Sequence, residues 1–200
     1  MKMATGFVFI LLLSAPIAGL AQTAIEPVTL DGANLPESKV TKAGRYIDSA
    51  EAYRLWQSDE ERVKIIDVRT TAEYAFVGHP TMAANIPLLF TTRQWHAPTG
   101  SYAMQRNERF VAQVEQIAAK DDVVLVLCRS GQRSAPATDL LNAAGYESVY
   151  SVVDGFEGDK LKNPASIFDG QRKVNGWRNA GLPWTYRLDP ALVYQGEDQE

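Results

Sequence analysis

One cysteine in 200 residues excludes an internal disulfide framework, and two histidines, His79 and His96, leave no spacing suited to a metal site. Haem and nucleotide-binding motifs are missing too, so the domain is expected to work without a cofactor. Basic residues are scattered and the net charge is -4, so no stretch is positive enough to grip nucleic acid. Internal repeats and low-complexity tracts are also lacking. The N-terminal apolar run, residues 7–13, is shorter than the roughly 20 residues that cross a bilayer, and Pro16 breaks the chain soon after it. Stable membrane insertion is therefore not expected.

That short run suggests an address instead. Lys2 precedes it, and Ser14, Ala15, Ala18, Gly19 and Ala21 come after it. This is the pattern of a secretory signal peptide over residues 1–21, cut after Ala21, which puts the protein in the periplasm or outside the cell. A lone thiol sent to an oxidising compartment asks for a functional reading or an intermolecular partner. Residues 22–44, polar and containing Pro27 and Pro36, read as an extended or loosely packed lead-in. A single α/β domain is expected over 45–187, with an acidic tail over 188–200. The hydrophobic content of 46% suits one well-filled core.

Asp48 or Ser49 is placed to cap a helix running through Trp56, with Ala52, Leu55 and Trp56 on one face. Residues 63–68 read as a strand, Thr70 or Thr71 opens a short helix with Glu73, Tyr74 and Phe76, and 84–86 is a short strand stopped by Pro87. Residues 88–106 carry no clear period and read as an irregular loop with a helical turn. Phe110, Val111, Val114, Ile117 and Ala118 fall at helical spacing, ending near 120–121. Residues 148–152 are a further strand. Strands alternating with helices imply a parallel sheet covered on both faces. Ligands of such sheets bind outside the carboxyl ends of the strands.

Cys128 stands at such an end. The apolar run 123–127 reads as a buried strand, and a helix comes next with Ser134 as N-cap, Pro136 in its first turn and Gly145 just past its end. Backbone N–H groups, a helix N-terminus and the guanidiniums of Arg129 and Arg133 converge there, and such surroundings stabilise negative charge on sulfur. The polar run after the cysteine argues against a thiol buried in an apolar core. Gly131 permits positive φ, so the amides of Ser130, Gly131, Gln132 and Ser134 are placed to turn inward as an anion nest. The fork of Arg133 has two readings, an anionic donor or a structural tie to a carboxylate or carbonyl. Arg129 faces outward as an electrostatic attractor. On the same side of the sheet, Asp67 is expected to anchor loop amides, and Arg69 with Glu73 to form an ion pair or loop tether, with substrate contact as the alternative for Asp67 and Arg69. His79 reads as a structural hydrogen-bonder, His96 beside Trp95 as a candidate to overhang the site, and Trp177 and Trp184 as packing.

In order along residues 45–184, the chain resembles the rhodanese (sulfurtransferase) domain. The resemblance rests on Ile66-Asp67-Val68-Arg69 with Glu73-Tyr74, on Gly78-His79-Pro80 leading to Asn85-Ile86-Pro87, and on Cys128-Arg129-Ser130-Gly131-Gln132-Arg133-Ser134. Residues 141–145 and Gly176-Trp177 with Ala180-Gly181-Leu182-Pro183 complete it. It implies a central parallel sheet of about five strands with helices on both faces. It also implies a nucleophilic Cys128 that takes sulfur from a small anionic donor such as thiosulfate, forming a persulfide. A thiol or cyanide then accepts the sulfur, and a protein thiol is a further candidate partner. Two departures stand out. The segment 78–83 lacks the usual small-residue turn. An insertion, about 158–173, separates Asp154-Gly155-Phe156-Glu157 from Trp177 and reads as a surface excursion flanking the active site, with solvated acidic residues. Two other readings remain: a persulfide carrier or protein-binding module with little turnover, and a cysteine-dependent phosphatase. Such phosphatases have one more residue between cysteine and arginine. The four residues between Cys128 and Arg133 suit sulfur better.

Overall fold

Successive side chains of a strand point to opposite faces, so in Val123–Leu127 the pair Val124 and Val126 faces one layer, and Leu125 and Leu127 the other. All four are fully buried. A strand of this kind needs a helical layer on each side. The computed structural model, which describes residues 27–196, has that arrangement. The expected signal peptide lies outside the described residues.

Along the chain, β1 (Tyr46–Ile47) leads to α1 (Ser49–Ser58), whose N-cap Asp48 accepts the Glu51 N–H. β2 (Val63–Asp67) is followed by α2 (Thr71–Val77), opened by a reciprocal capping box between Thr70 and Glu73. Short β3 (His79–Pro80) and β4 (Ala84–Asn85) precede β5 (Leu89–His96) and β6 (Ser101–Arg106). Then come α3 (Phe110–Val114), β7 (Val123–Leu127), α4 (Ser134–Ala143), β8 (Ser148–Val152) and β9 (Trp184–Thr185). The main sheet has five strands in the order β1-β8-β7-β2-β4, all parallel, which is the sheet that the resemblance implies. β7 is therefore central, and Cys128 emerges between the ends of β8 and β2.

One face packs Ile66, Val68, Val124, Val126 and Val149 under Phe110 and Val114 of α3 and Leu141 of α4. The other packs Ile47, Val63, Ile65, Leu125, Leu127 and Val152 under Ala52 and Leu55 of α1, with Phe156 and Trp177 closing the layer. Gly145, at φ +90°, ends α4. Its N–H donates to the Asn142 carbonyl and that of Tyr146 to the Leu141 carbonyl, which satisfies the last turn's orphan acceptors.

Several elements differ from expectation. Residues 88–106 are an antiparallel hairpin of β5 and β6, with a 3-10 turn over Ala97–Thr99. Most of its side chains are exposed, and the half-buried Leu89, Phe90, Thr92 and Ala103 do not alternate regularly, so no clear apolar period marks it in the sequence. α3 stops at Val114, and the Asp122 carboxylate caps the Ala119 N–H in the turns that replace its expected last stretch. β1 is two residues long, too short to show a period. The described part of the lead-in is mostly exposed, with Lys39 and Thr41 buried. It forms 3-10 turns at Gly32–Asn34 and Glu37–Lys39, and the Leu30 N–H donates to the Tyr46 carbonyl.

Replacing Leu125 by alanine removes a fully buried side chain from the central strand. Such a cavity is expected to cost about 2–5 kcal/mol, whereas Phe76→Ala on the exposed face of α2 is expected to stay within about 0.5 kcal/mol. Urea unfolding of the two variants beside the unsubstituted protein measures both.

Candidate active site

After Leu127 the chain leaves the sheet and curls over its own cysteine. The curl is held from outside by backbone. The Cys128 carbonyl accepts the Phe156 N–H at 2.7 Å, and the Arg129 carbonyl accepts those of Glu157 at 3.0 Å and Gly158 at 3.2 Å. Two glycines make this close approach feasible. A Cβ on Gly155, at φ +63°, would lie 2.5 Å from the Cys128 carbonyl oxygen, and one on Gly131, at φ +92°, would lie 2.3 Å from the Val153 carbonyl oxygen. With that φ, the Gly131 N–H donates to Cys128 Sγ at 3.2 Å, the inward amide expected of the loop.

The side chains of the loop divide by direction. Arg129 and Gln132 are exposed, with Gln132 reaching Ser38 in the lead-in at 3.3 Å, while Ser130 is buried. Ser134 is the first residue of α4 and does not cap it. Its hydroxyl turns inward, donating to the Gly131 carbonyl at 2.9 Å, within 3.0 Å of Ser151 Oγ and 3.9 Å from Cys128 Sγ. The thiol is far less open than its polar sequence context suggests: Cys128 is 1% exposed and packs among Val126, Ala137 and their neighbours. The sulfur thus meets the Gly131 amide and the Ser134 hydroxyl on the loop side and apolar side chains of the core.

Arg69 tethers a loop, as one reading has it, but the ion pairs around the turn are partnered otherwise than expected. Arg69 does not meet Glu73. Its guanidinium grips Asp67, with Nη2 to Oδ2 at 2.6 Å and both residues 0% exposed. Nη2 also donates to the Gly78 carbonyl, and the Phe156 ring lies 4.4 Å from the guanidinium carbon. Asp67 accepts the Arg69 N–H besides. Glu73 takes Arg133 instead, in a two-pronged pair at 2.6 Å and 2.6 Å. Burial alone would raise the Glu73 pKa, but the hydrogen bonds and charge of Arg133 outweigh it and bring the carboxyl down to about 2. Of the two readings for Arg133, the structure has the tie to a carboxylate.

Three further residues frame the turn. Lys39 of the lead-in is buried, lies against Gly131 and binds both oxygens of Asp159 at 2.8 and 2.9 Å, so that acidic residue of the insertion is paired and not merely solvated. Asp154 accepts the Ser49 N–H and hydroxyl and the Gly176 N–H, which fastens α1 to the segment that clamps the cysteine; burial pushes its pKa up. Neither role is visible locally, since Lys39 sits in a polar stretch like any surface lysine. The pairing partner of Arg133 is half visible, because Glu73 stands at the third position of a capping box. His79 is buried, stacks on Tyr74 and bonds its carbonyl. His96 bonds Thr99 in the turn of the β5–β6 hairpin. Trp177 is fully buried and donates to the Pro183 carbonyl, and Trp184 packs over Gly78.

No group of three or more His, Cys, Asp or Glu side chains among the described residues is arranged to hold a metal ion. A cavity of about 400 Å³ lies beside β4, lined by Asn85, Gln113, Leu192 and Tyr194 among others, and no residue of the cysteine loop lines it.

Comparison with known proteins agrees with this geometry. The rhodanese-like domain family model matches residues 49–162. The chain is 36% identical over 123 residues to thiosulfate sulfurtransferase 18 of Arabidopsis thaliana, covering 60% of this chain and 82% of that protein. It is 31% identical over 136 residues to rhodanese-like domain-containing protein 15 of the same plant, covering 64% and 70%. Among solved structures, Rv0390 from M. tuberculosis superposes with a TM-score of 0.55 at 29% identity, covering 70% of this chain and 96% of that one.

The Glu73–Arg133 pair makes the fold acid-sensitive. A carboxyl lowered from 4.5 to about 2 contributes stability above pH 4.5 that is lost as pH falls toward 2. The shift corresponds to about 3 kcal/mol at most, and to less after allowing for the 22% exposure of the carboxylate. Glu73→Gln is expected to be less stable at pH 7 by roughly 2 kcal/mol and to lose that part of the pH dependence. Urea unfolding at pH 7, 4 and 3 tests this, and parallel pH curves for the two proteins would refute the pairing's role.

Proposed function

The chain belongs to the rhodanese-like domain family, and from that membership we propose that it is a sulfurtransferase working through a persulfide on Cys128. The observation that carries this reading is the sulfur itself, seated at the carboxyl end of the central strand with the Gly131 N–H 3.2 Å away. The thiolate attacks the outer sulfur of a donor such as thiosulfate. A new S–S bond forms at Cys128, the donor's own S–S bond breaks, and sulfite leaves with the electron pair. A thiol or cyanide then takes the outer sulfur and returns the thiolate. The donor sulfur enters end-on, because Cys128 is 1% exposed, and an S–S bond of about 2 Å carries the transferable atom outward, toward the acceptor. The relative named thiosulfate sulfurtransferase supports the donor class. A loop drawn in until an amide touches the sulfur leaves little space for a tetrahedral phosphate, which weighs against a phosphatase.

The same 1% exposure favours a second reading, a carrier that loads sulfur and releases it slowly. Comparing the stoichiometry of persulfide loading with the steady-state rate separates the two, since fast loading with slow release identifies the carrier. The N-terminal residues extend the proposal to the compartment: Lys2, the 7–13 apolar run and Ala21 support an exported protein.

Thiosulfate plus cyanide is expected to give thiocyanate, with Cys128→Ser slower by at least about a thousandfold. Mass spectrometry of the donor-treated protein is expected to find a gain of about 32 Da on Cys128. A serine variant as fast as the unsubstituted protein overturns the reading. For the compartment, N-terminal sequencing of the periplasmic fraction is expected to begin at Gln22. Recovery of the protein only in the cytosol would sink that part.

A further inference from the structure

Lysine is almost never buried without a partner, yet Lys39 is 5% exposed within a lead-in that is mostly at the surface. It lies outside residues 49–162, the part of the chain that the family model matches. The reason for its burial has to be sought in the contacts of this chain.

The lead-in is fastened at several points where it passes the cysteine turn. The Thr41 N–H donates to the Tyr46 hydroxyl at 2.9 Å, and the Lys42 N–H donates to Asp139 of α4 at 2.8 Å. Gln132 of the turn donates to the Ser38 hydroxyl at 3.3 Å. Between these ties stands Lys39, whose ammonium binds both Asp159 oxygens, at 2.8 and 2.9 Å. Asp159 is itself held. Its N–H donates to Asn175 Oδ1 at 2.7 Å, and Asn175 Nδ2 donates back to Oδ2 at 3.2 Å. The charge of Lys39 is thereby consumed at the start of the insertion, and what it presents to the turn is its aliphatic stem.

That stem reaches the residue whose amide touches the sulfur. A Cβ on Gly131 would lie 3.0 Å from Lys39 Cδ and 2.3 Å from the Val153 carbonyl oxygen. The space that a side chain would fill at position 131 is thus taken by the lysine stem and one carbonyl. Glycine has the widest conformational freedom of any residue, and Gly131, at φ +92°, has its N–H 3.2 Å from Cys128 Sγ. Keeping so mobile a residue aimed at the sulfur takes a wall behind it, and the Lys39 stem is half of that wall.

We propose that Lys39 is a positioning residue for the nucleophile: its stem, anchored by Asp159, backs Gly131 and holds the Gly131 amide on Cys128, so the lead-in is part of the sulfur site. The proposal rests on the sulfurtransferase reading for its effect on rate, while its effect on the thiol is measurable without any donor. A hydrogen bond to a thiolate favours the ionised form, so loosening Gly131 raises the pH at which Cys128 ionises. Below that midpoint the rate follows the fraction ionised, because the thiolate is the nucleophile.

The chain has one cysteine, so far-ultraviolet thiolate absorbance titrates Cys128 alone, with Cys128→Ser as the blank. Lys39→Ala is expected to raise the midpoint by about one pH unit. Loading by thiosulfate is expected to be about tenfold slower in that variant below the midpoint and to converge on the unsubstituted rate above it. Lys39→Met, which keeps the stem and loses the charge, is expected to recover most of both losses. The other charged groups at the turn, Arg129, Arg172 and the Arg133–Glu73 and Arg69–Asp67 pairs, are unaltered in every variant. An unmoved midpoint in Lys39→Ala overturns the proposal. So does a Lys39→Met midpoint as high as that of Lys39→Ala, which would assign the effect to charge, or a rate lowered equally at every pH, the mark of a merely structural role. Should Lys39→Ala not fold, Lys39→Val, whose side chain also ends short of the Cδ position, carries the same tests. If the midpoints move as expected while thiosulfate leaves no persulfide, the positioning stands and the sulfurtransferase reading fails.

Discussion

The cysteine turn keeps its shape because a second length of backbone is laid against it. Residues 156–158 donate three N–H groups to the carbonyls of Cys128 and Arg129. These two segments are the continuations of adjacent parallel strands, β7 and β8, whose register runs from Val123 opposite Ser148 to Val126 opposite Ser151. The ladder of the sheet is thus carried past the strand ends into the cysteine loop. Where the two segments press closest, at Gly131 and Gly155, a Cβ would collide with main-chain atoms. Backbone is the most rigid material available to a protein, and here it fixes the sulfur and the amide that faces it.

Charge around the turn is used for construction. Two arginines are consumed by carboxylates. Arg69 and Asp67 form a pair excluded from water, in which losing one partner would strand the other at a cost of about 3–5 kcal/mol. Arg133 and Glu73 tie the start of α4 to α2, and Lys39 and Asp159 tie the lead-in to the insertion. These pairs make walls.

Much of this is legible in the sequence. The alternating burial of 123–127, the Asp48 cap, the Thr70–Glu73 box and the glycine that ends α4 all arise from residues a few positions apart, and all are present. Legibility fails where the deciding contact is distant or where no apolar pattern exists. The β5–β6 hairpin is solvated on both faces, so its sequence carries no period of two. Ser134 looks like a cap because its type favours that position, yet its hydroxyl finds the Gly131 carbonyl and Ser151 instead. The polar run after Cys128 suggests an open thiol, yet the sulfur is buried, with the Gly131 amide on it and the apolar cluster of Val126 and Ala137 around it.

The sequence alone determined the layered α/β architecture, the placement of a single cysteine at the end of its central strand, and the glycines that let a loop close there. These are properties of short-range periodicity and backbone freedom. Tertiary structure decided which arginine met which carboxylate, since Arg133 and Glu73 are 60 residues apart and Lys39 and Asp159 are 120 apart. It also decided that the insertion would start against the cysteine turn, with the Gly158 N–H on the Arg129 carbonyl. Electrostatic partnership depends on distance in space, and only the packed chain sets that distance.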